Sequence, residues 1–286
     1  MTSSPKIDLS CLASDKGTGN KDAAREAKIL DVLSAAVNSR GAADFADAAS
    51  TAATDLDNLY QAEEPDAVED FLWSLWVLLI ATVKNVPADD ARQQLLVETV
   101  AQLTKKRDTP VSLWGQETKV WSELPMLGPC MRDAWNLRPK LNGSDEDDDA
   151  IREWISLNSF AARMFGQGLQ TWVNFAIWEL RAALEEQLPS ASPTSAKDAS
   201  LATACEWIMH AGEALHGKSL ETQSLDEMEK RALKPGKLLN NSMSGLSDER
   251  WIFWRERVGT LGAGAGSGEL KERAQKAVEK MKGLEG

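Results

Sequence analysis

From residue 21 to the C-terminus the apolar side chains recur three and four positions apart, and no run of four or more residues alternates as a half-buried strand would. That regularity excludes most folds, because apolar residues on helical stripes are buried by packing helix on helix. With 286 residues and 43% hydrophobic content, the chain has enough apolar surface for a sizeable core. The expectation is an all-α protein: a single helical-bundle-like domain of about ten helices over 21–286, preceded by a disordered tail over 1–20.

Helices are predicted over roughly 21–39, 42–62, 66–84, 88–106, 148–165, 170–188, 198–216, 222–233, 248–261 and 269–283. Between 107 and 147 proline and glycine break the pattern into a short-helix and loop insert, with short helices around Trp121 and Trp135. The stretches "PSASPTSAK" at 189–197, "KPGKLLNNSMSG" at 234–245 and "GAGAGSG" at 262–268 read as flexible linkers. The most apolar stretch, "FLWSLWVLLIATV" at 71–83, is shorter than the roughly twenty residues that span a bilayer, so it is predicted as a buried central helix.

The first twenty residues hold no apolar run of signal-peptide length, and Cys11, Cys130 and Cys205 lie far apart without a metal-like spacing. Both observations lead to the expectation of a soluble, cytoplasmic protein with free thiols and no membrane partner. A formal net charge of −12 repels phosphate backbones, which argues against nucleic acid. The densest basic patch is only Lys105, Lys106 and Arg107, at a predicted helix end where cations offset the dipole.

Eleven tryptophans stand against one tyrosine, Tyr60, and Trp73, Trp76, Trp172, Trp207, Trp251 and Trp254 fall at predicted core-facing phases. The segment "DERWIFWRERV" at 248–258 shows the pattern at its densest. On a helix Trp251, Trp254, Val258 and Leu261 share one face, with Ser247 placed to cap and Asp248 and Glu249 at the positive end. Such a helix docks into its own protein, and its charges form the wet side.

Three motifs suggest chemistry. "GEALHGKS", Gly212 to Ser219, satisfies the P-loop spelling through Gly212, Gly217, Lys218 and Ser219. A P-loop follows a buried strand, however, and the residues before Gly212 have helical spacing, so the match is read as coincidence and no cofactor is expected. The acidic run at 145–149 resembles the aspartate-rich box of helical terpene synthases, and Asn240, Ser244 and Asp248 have the spacing of a second box. Favourable charges at a helix start explain the first, and Gly245 interrupts the second. Glu206, His210 and Glu213 share a helical arc of about 60° and could pass a proton or ligate a metal. An exposed, ion-paired stripe is the plainer reading, and no metal is expected.

"WSELPMLGPCMRDAWN" at 121–136, "WISLNSFAARM" at 154–164, "FAIWELRAALE" at 175–185, "CEWIMHAG" at 205–212 and "RWIFWRERV" at 250–258 resemble, in consistent order, a fungal family of cytoplasmic helical proteins called domain of unknown function 3632. The resemblance spans about 65–283 and implies a fungal origin and a single helical domain. It brings no agreed reaction or ligand. A site shared by such a family would centre on Asn158 and Arg163, polar residues in a strongly apolar helix, with Arg132 and Trp154. The alternative is that these groups hold loops and helices together through buried hydrogen bonds.

The function expected is a non-catalytic binding module for a protein or an apolar small molecule. The rival is an enzyme of fungal specialised metabolism, acting on a hydrophobic, isoprenoid-like substrate in a Trp-lined cavity, with magnesium held by carboxylates.

Overall fold

The computed structural model describes residues 5–13, 21–39, 45–108, 110–139, 146–187, 194–219, 225–239 and 244–286. Among the described residues there are eleven α-helices and one two-stranded sheet, as the apolar period predicts. Contacts divide the chain into two compact units, Met1–Arg138 and Pro139–Gly286. No helix among the described residues is long and apolar enough to cross a membrane.

The first unit holds α1 (Lys21–Val37), α2 (Phe45–Gln61), α3 (Val68–Asn85) and α4 (Arg92–Leu103), then a β-hairpin of β1 (Pro110–Leu113) and β2 (Gln116–Lys119), and α5 (Leu127–Asn136). The apolar stretch forms α3, which packs against α1 and α5 and completely buries Phe71, Leu72, Leu75, Trp76 and Val83. Two indoles are pinned as well as buried. Trp76 donates Nε1–H to the Pro125 carbonyl at 2.8 Å, and Trp121 donates to Asp57 Oδ1 at 2.8 Å with its ring edge-on to Tyr60. Part of the segment expected as a free tail belongs to this unit. Ile7 exchanges two hydrogen bonds with the Asn38 side chain at 2.9 and 3.0 Å, and Arg92 donates to the Pro5 carbonyl at 2.8 Å.

Three expectations need correction here. The hairpin at 110–119 was not foreseen, because its strands are four residues long and only Val111 and Leu113 show the alternation. Its turn places Trp114 and Gly115 both at positive φ, as a two-residue hairpin turn requires. Trp121 lies in a turn, not a helix, with its backbone N–H bonded to Asp108. Trp73 is not core: α3 is apolar around most of its circumference, so period alone does not fix its buried face, and Trp73 is 41% exposed.

The second unit holds α6 (Glu146–Gly166), α7 (Val173–Leu180) ending in a π-helical turn (Arg181–Glu185), α8 (Thr194–Ser219), α9 (Glu227–Ala232), α10 (Asp248–Ala263) and α11 (Gly268–Leu284). Helix α8 is its axis, contacting α6, α7, α10 and α11 and completely burying Ala204, Cys205, Trp207, Ile208, Ala211 and Leu215. In α10 the predicted face is the buried one: Trp251, Trp254 and Val258 are fully enclosed and Ser247 caps the helix by accepting from Arg250 N–H. Of the stretch 262–268 only residues 264–267 form a turn, between α10 and α11, in which Gly266 N–H donates to Asp198 Oδ2 at 3.0 Å and Ala265 is buried.

Helices α6 and α8 meet closely at Gly166, where an added Cβ would lie 1.9 Å from the His210 carbonyl oxygen. Since that oxygen belongs to a helix backbone, the helices themselves must part to admit a methyl group. Gly166→Ala is therefore expected to destabilise the fold by about 1–3 kcal/mol, measured by urea unfolding.

Candidate functional site

The strongest cluster of buried charge is one that single motifs did not reveal. The π-helical turn closing α7 widens the backbone and directs Glu185 inward, where its side chain is fully buried. Arg250, on the first turn of α10 and 1% exposed, reaches it with two nitrogens: Nε to Oε1 at 2.6 Å and Nη2 to Oε2 at 3.0 Å. Trp254, one turn further on, donates Nε1–H to Oε1 at 2.6 Å, and Gly236 donates its backbone N–H to Oε2 at 2.7 Å. The other terminal nitrogen of Arg250 donates to the carbonyls of Leu233 and Gly245 at 2.8 and 2.5 Å. The Glu185 carbonyl accepts from Leu238 N–H at 2.8 Å. Gly236 is required there, since a Cβ would lie 2.6 Å from the Glu185 carbonyl oxygen. Both carboxylate oxygens thus accept two bonds each. The cluster holds α7, the segment after α9 and α10 together, and its polar atoms are committed to one another.

The candidates named from the resemblance are divided between the two units. Trp154, Asn158 and Arg163 lie along α6 in the second unit, whereas Arg132 is exposed on α5 in the first. Asn158 is completely buried, accepts from Trp207 Nε1–H at 2.8 Å and donates to the Trp154 carbonyl at 2.9 Å. It serves as a polar bolt between α6 and α8. Arg163 is half-buried, with Nε 3.4 Å from Ser159 Oγ. Burial lowers its pKa, Glu206 opposes that change, and Arg273 adds to it.

Glu206 does not lie on an exposed stripe. Its side chain is 1% exposed, with Arg273 of α11 at 2.7 Å and His210 at 3.3 Å. Among the described residues neither oxygen accepts a well-directed hydrogen bond, although each lies close to one of these two side chains. Burial pushes the carboxyl pKa up, but His210, Arg273 and Ser159 outweigh it and hold Glu206 below its ordinary 4.5. A depressed folded-state pKa means that the stabilisation is fully present above that ordinary value and is lost as pH falls through the lower one. Glu213, the third member of the stripe, is exposed.

The remaining motifs resolve plainly. Gly212, Gly217, Lys218 and Ser219 all lie within α8, Gly212 packs near Leu284 and Trp251, and Ser219 Oγ donates to the His216 carbonyl at 2.7 Å. Asp148 and Asp149 are exposed at the start of α6, and Asp248 opens α10; Asp145, Asn240 and the side chains of Glu146 and Asp147 lie outside the described residues. Among the described residues no three His, Cys, Asp or Glu side chains gather as a metal ion would need. Burial raises the thiol pKa of Cys130 to about 11 and of Cys205 to about 12, so both act as small core residues.

Besides a cleft between α10 and α11, the surface opens into two others with carboxylates in their walls. One, of about 290 Å³, lies among α6, α8 and α11, with Ile151, Ile155 and Leu270 beside Asp148, Asp198 and Arg273. The other, of about 620 Å³, lies in the first unit between the α2–α3 corner and β1. Neither has a tryptophan in its wall.

These features define a helical protein in which most of the tryptophans and the buried ion pair serve packing. The chain belongs to the family described as "Protein of unknown function (DUF3632)", which matches residues 76–258, a stretch that includes Asn158, Glu185, Trp207 and Arg250. No curated protein and no solved structure matches it.

Removing one partner of a buried pair leaves the other charge uncompensated. Arg250→Met is therefore expected to cost about 3–5 kcal/mol. In urea unfolding, Glu185→Gln and Arg250→Met combined should cost less than the sum of the single changes by about 1–3 kcal/mol. Additive costs would show that the two side chains do not act as a unit.

Proposed function

We propose that the protein is a non-catalytic helical module that binds a partner protein inside the cell. The observation supporting this most directly is the commitment of its buried polar groups: Glu185, Arg250 and Asn158 spend their bonds on the fold. Trp76, Trp121, Trp207, Trp251 and Trp254 are fully buried and work as packing. The free thiols of Cys11, Cys130 and Cys205 suit a reducing compartment, and the net charge of −12 favours a protein partner over nucleic acid.

A second reading draws on the cleft among α6, α8 and α11, where Asp148 and Asp198 stand over an apolar floor. It is the enzyme of specialised metabolism acting on an isoprenoid-like substrate, with magnesium neutralising the substrate's diphosphate. The ungathered carboxylates, with Asp198 already accepting from Gly266 N–H, and the absence of indole from this cleft favour the binding reading.

Native mass spectrometry of the protein purified from its host separates the two. A retained second polypeptide is the expected result. A retained small molecule whose mass changes on incubation with magnesium would contradict the proposal and favour the enzyme.

A further inference from the structure

The first unit carries a surface that the core chemistry does not use. Strand β1 pairs with β2 on one edge only, in the register Leu113 to Gln116 and Val111 to Thr118. Across a two-residue turn those two pairs are the hydrogen-bonded ones, so the N–H and C=O of Ser112 point away from β2. Ser112 lines the cleft of about 620 Å³, and among the described residues nothing bonds its backbone from that side. Pro110, which has no N–H, limits the open edge to a short template.

The opposite wall is the α2–α3 corner, "EEPDAVED" at 63–70, with five carboxylates and no base in eight residues. Glu63 is paired with Arg25, whereas Glu64, Asp66, Glu69 and Asp70 are exposed. At the mouth Trp114 is 62% exposed, held by a bond from Nε1–H to Glu69 Oε1 at 2.9 Å. One helical turn beyond Glu69 is Trp73, 41% exposed, followed on the same stripe by Val77.

An open strand edge, a carboxylate wall and two exposed indoles converge on one kind of occupant. We propose that this cleft docks an extended, Lys- and Arg-bearing segment of a partner protein, which adds a short strand beside β1. The carboxylates of Asp66 and Glu69 take its cationic heads, and the faces of Trp114 and Trp73 cover its side-chain stems by apolar contact. This rests on the binding reading above and gives it a location and a partner chemistry. The same acidity repels phosphate backbones and anionic lipid.

The test uses the full chain and fluorescence anisotropy with three labelled heptapeptides: Thr-Arg-Val-Lys-Val-Arg-Thr, its counterpart with Glu at each basic position, and the basic peptide N-methylated at both valines. The basic peptide should bind, the acidic one should not, and N-methylation should weaken binding at least about tenfold by blocking main-chain pairing. Asp66→Lys with Glu69→Lys should weaken binding at least about tenfold, and Glu256→Lys with Glu272→Lys, the same charge change on α10 and α11, by less than about twofold. Trp114→Asn, which suits the positive φ of that turn while removing the ring, should weaken it about threefold. Equal loss from both charge-reversed pairs, or failure of the basic peptide to bind, would overturn the proposal. A partner retained in native mass spectrometry whose complex survives Asp66→Lys with Glu69→Lys would overturn the cleft assignment and leave the binding reading standing.

Discussion

The second unit depends on a carboxylate and a guanidinium that have both given up water. Taking Glu185 and Arg250 out of solvent costs several kcal/mol for each ion, and attraction offsets this only when the geometry is good and the remaining lone pairs and protons find partners. Here they do: one backbone amide, two backbone carbonyls and one indole complete the set. One cluster places the end of α7, the stretch from Leu233 to Leu238, and the start of α10 with Gly245 just before it. The π-helical turn has its physical reason in this arrangement, since it delivers Glu185 to the interior.

The tryptophans repeat the principle on a smaller scale. Each indole supplies a large apolar body and one N–H, and several use that N–H as a pin: Trp76 on Pro125, Trp121 on Asp57, Trp178 on Ala232, Trp207 on Asn158 and Trp254 on Glu185. Trp251 is the exception. Its Nε1–H is buried without a hydrogen-bond partner among the described residues while its ring packs 5.0 Å from His216, an arrangement costing about 1–3 kcal/mol. Trp114 and Trp73 differ in leaving much of their rings exposed to solvent, which is why they point to an interface.

The helices were legible because a 3.6-residue period survives every local irregularity, and the docking face of α10 followed from it directly. Asn158 was legible as a polar residue in an apolar stripe, although its partner Trp207, on another helix, was not. Glu185 and Arg250 were hidden for a related reason: 65 residues separate them, and each sits among other charged residues that do face water. One faint signal existed, since Arg250 stands four positions before Trp254 and so shares its buried stripe. The hairpin was too short for its alternation to rise above the helical background. Glu206 was assigned to a wet stripe because helical phase reports direction only, and the depth of that direction is set by α11.

The claim that this buried pair organises the unit is tested most directly by residue-resolved amide hydrogen exchange at Gly236 and Leu238, which lie outside any helix yet donate to Glu185. Their protection is expected to match that of the buried α8 amides to within about tenfold, because both are released only by opening the cluster. Exchange at the rate of an unstructured peptide would show that the segment between α9 and α10 is not held by Glu185, and the account would fail.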